Sequence, residues 1–323
     1  MDLIYTNAER IDQGVLSAYT LDLSFGSDES ENDFELALGN NEPALVDDAV
    51  IYFEDTEYGG IIDGLKTNSE SETRTYVGRT WHGILNNKVI QPDSGEDYLV
   101  VSGDANSILD FLVVRLGLSG LFRAANYSSG INIDRYQFHR YCMGYDGIRA
   151  MLADNGAKLM IRWDEGSVIL YAQAIVNDAD STLDNDVAHL VVERHGNKVN
   201  HLVCLGQGEL ADREVIHLYV DQFGRIGNVQ YYTGLKEIMA TYDYNTAQSS
   251  EELRSNGIKH LKELRENDIV NVSVNDSSEI MYDIGDVIMA QDVVSGNSGS
   301  ATVTQKIVKI QNGTVNIEYK TGR

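Results

Sequence analysis

Residues 293–303 read VVSGNSGSATV, and Ser298 sits between two glycines as Gly296-Asn297-Ser298-Gly299-Ser300. A serine on a tight glycine turn could act as an acyl-transfer nucleophile. That chemistry needs backbone N–H groups as an oxyanion hole and a histidine within hydrogen-bond reach. His189 lies upstream, and Asp212 or Asp221 could supply the acid. Only the glycine turn has support, however, because His189 opens an alternating strand pattern and not a loop junction. The Ser298 segment also bridges two strand patterns, where Gly and Ser are what a hairpin loop requires. The reading favoured here is an exposed hairpin tip with His189 far away.

Other groupings fare no better. His139 and Cys142 in QFHRYCMGYDG suggest a thiol catalyst, but an i, i+3 pair at a strand end points in opposite directions. Cys142 reads as a small buried apolar residue. Asp178-Ala179-Asp180-Ser181-Thr182 begins like a calcium loop, yet Leu183 takes the glycine position and His189 stands where a bidentate Glu belongs. His195 and His201 are spaced poorly for a metal and read as exposed turn and strand residues. Gly206-Gln207-Gly208 runs into Glu209-Leu210 and opens no phosphate-cradling helix. Glu35, Asp47, Asp48, Glu54, Asp55 and Glu57 could hold a glycosidic carboxylate pair, but in so acidic a chain they read as a solvated face. The expectation is no catalytic residue, no cofactor and no metal.

Composition agrees with a non-enzymatic reading. Fifty acidic against 25 basic residues leave a net charge of −25 over 323 residues. That balance opposes non-specific binding to nucleic acid and docking on anionic lipid. No apolar run reaches membrane-spanning length, and MDLIYTNAERIDQG lacks the pattern of a signal peptide. Two isolated cysteines, Cys142 and Cys204, fit a reducing compartment. A soluble protein made in a cytoplasm is expected.

The elements that must carry these residues are mainly strands. LIYT, LSAYTLDLSF, DFELAL, AVIYF, GGIIDGLKT and TRTYVGRT read as short strands between polar or acidic turns, with apolar and polar residues alternating in LDLSF and TYVGRT, as in a small barrel or sandwich. Near residue 98 the pattern changes. Ser102 or Asp104 caps a helix whose stripe is Ile108, Leu109, Leu112, Val113 and Leu116, ended by Gly117. INIDRYQF reads as a strand and YDGIRAMLADNG as a helix. AKLMIRW and SVILYAQAI form a hairpin at Asp164-Glu165-Gly166. Strands resume after an acidic linker at 176–186. A helix over 249–268 opens with a Ser249/Glu252 capping box and buries Leu253, Ile258, Leu261 and Leu264. A closing hairpin turns at Gln311-Asn312-Gly313. The expected fold is mainly β with an α/β insertion, divided as a barrel-like domain at 1–97, an insertion at 98–178 and a second barrel-like domain at 179–323. Some strands of 187–235 could complete the first barrel.

Taken together, three stretches resemble one family. MDLIYTNAERIDQGVLSAYTLDLSFGSDESENDFELAL is similar to the start of tail proteins from siphovirus-like phages and prophages. KVNHLVCLGQGELADREVIHLYVDQFGRIG is similar to their middle strands. The Ser-Ser-Glu-Glu-Leu helix, followed by Tyr282-Asp283-Ile284-Gly285-Asp286-Val287 and a hairpin, is similar to their C-terminal part. The group is that of phage baseplate hub proteins, related in fold to the N-terminal part of the type VI secretion spike. The resemblance implies two barrel-like β domains with an inserted α/β module, and a homotrimer whose six barrels meet a hexameric tail tube. It implies distal tail, spike or fibre proteins as further partners, and a place in the virion tail assembled in the host cytoplasm. An acidic lumen would let DNA slide past without sticking. With Arg323 just after a hairpin, no appended peptidase or lysozyme domain is expected.

Three classes of function thus stand in order. A structural hub comes first, a cell-wall or protein hydrolase using Ser298 or a carboxylate pair second, and a receptor- or carbohydrate-binding tail-tip protein third. Trp81, Trp163 and the dispersed tyrosines form no visible sugar-binding cluster. The acidic segment 27–36 and the insertion 98–178 are the candidate partner surfaces.

Overall fold

In LDLSF and DFELAL every second residue is apolar, and in the computed structural model those residues line one side of a long antiparallel sheet. The structure describes residues 2–26, 32–67, 73–176, 188–193, 198–222, 224–247, 249–265, 269–274, 281–291, 298–311 and 313–322. Seven strands come first: β1 (Leu3–Thr6), β2 (Asp12–Leu16), β3 (Tyr19–Gly26), β4 (Asp33–Gly39), β5 (Val50–Tyr52), β6 (Gly59–Thr67) and β7 (Thr73–Thr80). They pair in the order β3-β4-β7-β6-β5-β1-β2. Tyr19, Leu21, Leu23 and Phe25 of β3 face Phe34, Leu36 and Leu38 of β4 in a shared core, and the sheet curls over it as a half-barrel.

Helix α1 (Trp81–Asn86) and β8 (Val89–Ile90) follow, and then the insertion with β9 (Val100–Asp104), α2 (Ala105–Arg115), β10 (Phe122–Ala124), β11 (Asn132–Gln137), β12 (Cys142–Met143), α3 (Gly144–Ala153), β13 (Ala157–Asp164) and β14 (Ser167–Ala174). The Asp104 carboxylate accepts from the Asn106 and Ser107 amides as the cap of α2, and Gly117 beyond its end has φ +71°. Helix α1 gave no periodic signal, because all six of its residues are buried. The insertion does not fold around a private core. Trp81, Ile84 and Leu85 of α1, with Val50 and Tyr52 of β5, pack into the same cluster as Leu109, Leu112, Met151 and Trp163.

The chain continues with β15 (Ala188–Glu193), β16 (His201–Leu205), β17 (Val215–Val220), β18 (Ile226–Gly227), β19 (Met239–Asp243), α4 (Ser250–Arg265), β20 (Ile269–Val274), β21 (Val287–Gln291), β22 (Ser298–Gln311) and β23 (Thr314–Gly322). Strand β22 pairs with β3 over seven residue pairs, and β23, β20 and β15 extend the sheet beyond it. By compactness, residues 1–190 with 271–322 form one unit and residues 191–270 another. The fold class is the one expected from the sequence: mainly β, antiparallel, with an α/β insertion.

The smaller unit is a sheet in the order β18-β17-β16-β19 with α4 on one face. Leu202, Cys204, Leu218 and Val220 meet Leu253 and Leu261 of the helix. The Ser249 hydroxyl accepts from the Glu252 amide, as the capping box requires. Gly257 breaks the helical composition for a steric reason, since a Cβ there would stand 2.5 Å from Cys204 Sγ and 3.0 Å from Leu218 Cδ1. Overpacking of this kind costs about 1–3 kcal/mol and exceeds the roughly 1 kcal/mol that alanine gains in helix propensity. Gly257→Ala should therefore lower the thermal midpoint of the smaller unit, and adding Cys204→Ala should restore part of the loss. Differential scanning calorimetry of the two variants checks this, and a more stable Gly257→Ala protein would refute the packing argument.

Candidate functional site

Ser298 is the first residue of β22 and pairs with Gln291 of β21, so the hairpin expected there exists; its loop, residues 292–297, lies outside the described residues. His189 is in β15, and strands β20 and β23 stand between β15 and β22. Three strand spacings put the two backbones at least about 14 Å apart, beyond the reach of a Ser–His hydrogen bond. Asp221 accepts from the Arg225 backbone amide at 3.0 Å and its guanidinium at 2.7 Å, and Asp212 lies in an exposed turn. His139 is exposed, while Cys142 packs against the core and burial pushes its thiol up, away from the reactive thiolate. His195 and the loop at 178–183 lie outside the described residues. Gly206-Gln207-Gly208 is a turn held by the Glu214 backbone, and a Cβ on Gly206 would meet Leu253 at 2.8 Å. Trp81 and Trp163 stack on each other at 5.4 Å inside the core, with Tyr52 against Trp163 at 4.3 Å.

Two readings from the sequence need correction. Glu57 does not belong to the solvated acidic face of Glu35, Asp47 and Asp48, and His201 is not exposed. Each belongs to a polar cluster built from residues distant in sequence.

The first cluster lies within the larger unit. Lys306 of β22 donates to Glu57 Oε1 at 2.6 Å and to Asp283 Oδ1 at 3.2 Å. Lys158 of β13 donates to Asp286 Oδ2 at 2.6 Å and to Asp283 Oδ2 at 3.0 Å. Both lysine side chains are 3% exposed and Asp286 is fully buried. Asp286 Oδ1 also accepts from the Val176 amide at 2.9 Å, where the insertion ends. His82 of α1 completes the group, with Nε2 3.6 Å from Glu57 Oε2 and its ring between Phe25 and Tyr145. The cluster therefore ties the loop after β5, helix α1, the insertion and the C-terminal hairpin to one point.

Its electrostatics follow from burial against pairing. Burial opposes the charge on Lys306, but Glu57, Tyr58 and Asp283 outweigh it and hold the ammonium well above the ordinary lysine value. Lys158 is raised in the same way by Asp283 and Asp286. Asp283 feels the same burial penalty, but the two ammonium groups bring it below the ordinary carboxylate value. Burial wins at Glu57, which is raised, and at His82, which is lowered to about 3 and stays neutral. Four lysine–carboxylate contacts thus join the two ammonium groups to Glu57, Asp283 and Asp286.

The second cluster lies in the smaller unit, on the sheet face opposite α4. Side chains alternate across a strand, so His201, His217 and Tyr219 share the face that the helix does not cover. His201 Nδ1 is 2.6 Å from Glu237 Oε1, and its Nε2 is 2.8 Å from His217 Nδ1. Gln230 donates to the same Glu237 oxygen at 2.8 Å, and Tyr219 lies 4.3 Å from the His201 ring. The His201 ring thus bridges Glu237 on one side and His217 on the other. The arrangement orders the loop before β19 on the sheet. Among the described residues, no group of three or more His, Cys, Asp or Glu side chains could hold a metal ion.

No family model matches this chain, and no curated protein matches it. Solved structures are similar over its whole length. The 43 kDa tail protein of prophage MuSo2 from Shewanella oneidensis superposes with a TM-score of 0.58 at 9% identity, covering 100% of this chain and 98% of that one. A tail protein from Neisseria meningitidis MC58 gives 0.55 at 12% identity, with 100% and 96% covered. Prophage tail protein gp18 from Listeria monocytogenes EGD-e gives 0.52 at 10%, with 100% and 94% covered. The chain has the fold of these prophage tail proteins.

Removing one partner of a buried ion pair strands the other charge, at a cost of about 3–5 kcal/mol. Lys306→Met should destabilise the larger unit on that scale, and Lys306→Met/Glu57→Leu should recover part of it; chemical denaturation measures both. The pH response has a definite sign. The folded pKa of His82 is depressed from 6.5 to about 3, so the unfolded chain takes up a proton first as pH falls. That stability is complete above about 6.5 and is lost toward 3, by at most about 1.4 kcal/mol per pH unit. Glu57, raised on folding, works in the opposite direction. His82→Phe should therefore lose less stability than the unaltered chain over this window, and parallel slopes for the two proteins would count against the assignment.

Proposed function

We propose that this chain is a structural component of a phage-type tail, the hub of the baseplate or tail tip. Three copies would form a ring that joins a hexameric tail tube to a three-fold spike or fibre. The observation that carries the reading is the end-to-end match to the MuSo2 43 kDa tail protein, which spans 100% of this chain and 98% of that one. In this reading the β-rich residues 1–97 and the β-rich part of 179–323 act as two barrel-like domains flanking the 98–178 insertion. Doubling three copies gives the six-fold count of a tube.

The remaining features fit a structural role. The lysines and carboxylates of the buried cluster are taken up in holding segments together. The net charge of −25 suits a lumen past which DNA slides, because an acidic wall gives phosphates nothing to release counterions against. No helix of the described residues is long and apolar enough to cross a membrane. The place of action in this reading is the virion tail.

Light scattering coupled to size exclusion tests the proposal. A species of three times 35.8 kDa is expected at micromolar concentration, with ring-shaped particles in negative stain. A protein that stays monomeric at every concentration, alone and with a tube protein added, would defeat it. Labelling of Ser298 by a fluorophosphonate probe, lost in Ser298→Ala, would return the hydrolase reading to first place.

A further inference from the structure

Large apolar side chains stand open to solvent more in the smaller unit than elsewhere. Among the described residues the three most exposed are Leu210 (96%), Val229 (82%) and Leu235 (fully exposed), and all three belong to that unit. Tyr231 and Met239 are exposed in the same loop as Val229 and Leu235, residues 228–239. Single exposed apolar residues are ordinary on a protein surface, but four within one short loop call for a reason.

The loop is held in shape from within. The Asn200 side chain donates to the Lys236 carbonyl at 2.8 Å and accepts from the Ile238 amide at 3.0 Å. Gln230 donates to Glu237, which His201 also holds, and the Tyr231 hydroxyl donates to Gln222 at 2.6 Å. Polar groups are thus spent on anchoring while apolar side chains face water, the reverse of an ordinary solvated loop. A loop fixed in advance loses little entropy when a partner covers it. Leu210 is the second open patch. It lies in the turn between β16 and β17 with φ +54°, in the left-handed region that leucine rarely adopts, and Val215 just past the turn is exposed as well. Neither backbone nor solvation favours leucine there, since glycine or asparagine would suit both.

We propose that the 228–239 loop of one copy docks on the Leu210 turn of a second copy of the same chain. The inference rests on the hub reading, since it supplies a contact by which the copies of a ring would join. Strand β19 runs parallel to β16 and begins beside His201, so the loop lies at the start of β16, while the Leu210 turn follows its end. A contact between patches at opposite ends of one strand is head-to-tail, the kind that closes into a ring. Charge favours the same pairing. Exposed Lys236 stands beside Leu235, and exposed Glu209 and Asp212 flank Leu210, so the two patches are opposite in sign. Loop against loop would instead set Lys236 against Lys236.

Sedimentation equilibrium of the full chain tests this with Leu235→Gln, Leu210→Asn and an equimolar mixture of the two. Neither substitution changes the charge, both side chains are exposed, and asparagine suits the left-handed backbone at 210, so the thermal midpoint should hold. The expected result is at least tenfold weaker self-association of each variant alone. The mixture should associate more tightly than either variant, because one intact loop then meets one intact turn. Copies that associate equally with and without the substitutions would overturn the proposal and leave the hub reading intact. Loss in only one variant would mean that its patch meets some other surface, and would overturn the pairing. A chain that is monomeric alone but binds tail tubes only while Leu235 is intact would give the loop to the tube protein and end the proposal. A chain that stays monomeric with and without tail tubes would overturn both readings.

Discussion

The structure of the larger unit depends on two ammonium groups held among three carboxylates where water scarcely reaches. Lys158 and Lys306 each hold two carboxylate contacts, and Asp283 is shared between them. Such a cluster is poor at adding net stability, because desolvating the ions offsets most of their attraction. Its strength is selectivity. A hydrophobic contact tolerates a slipped neighbour, but a buried charge without its partner costs several kcal/mol. Lys306 and Glu57 are 249 residues apart, and Lys158 and Asp286 are 128 apart, so the cluster forms only when distant segments arrive in one register. The Asp286 contact to the Val176 amide adds the end of the insertion to the same condition.

That dependence shapes the half-barrel as well. Strand β3 has β4 on one side, a hairpin neighbour, and β22 on the other, from the far end of the chain. Its second edge therefore stays unpaired until β22 is made, and loop closure over such a separation is entropically slow. The smaller unit stands outside this scheme. Its core is private, its strands and helix are near neighbours in sequence, and its charge is almost balanced. Its histidine cluster lies on the sheet face that α4 does not cover.

What the sequence made legible was local. The stripe and caps of α2 and α4, the Asp164-Glu165-Gly166 turn and the alternation in β3 and β4 each depend on residues within a dozen positions. Helix α1 was hidden because burial on all sides erases the amphipathic period by which a helix is read. Glu57 was hidden among other acids, since nothing beside it in sequence marks it as the partner of Lys306. His201 looked like a strand residue at a turn, and its partners Glu237 and His217 lie 36 and 16 residues away. Asp283 and Asp286 fell inside a stretch that was recognised for its family texture, without any sign of what they hold. The SGNSGS stretch drew attention through its residue types alone, and strand order is what separates Ser298 from His189.

The seven-pair ladder between β3 and β22 has a mechanical meaning. These two strands lie near opposite ends of the chain and run antiparallel, side by side in one sheet. Because Thr20 pairs with Gln311 and Gly26 with Gln305, the sides of the two strands that lead to the ends of the polypeptide lie at the same end of the ladder. Tension between the two ends of the polypeptide would therefore open the rungs one after another, and the ladder would resist best a load applied to its opposite ends, where all seven pairs share it in shear.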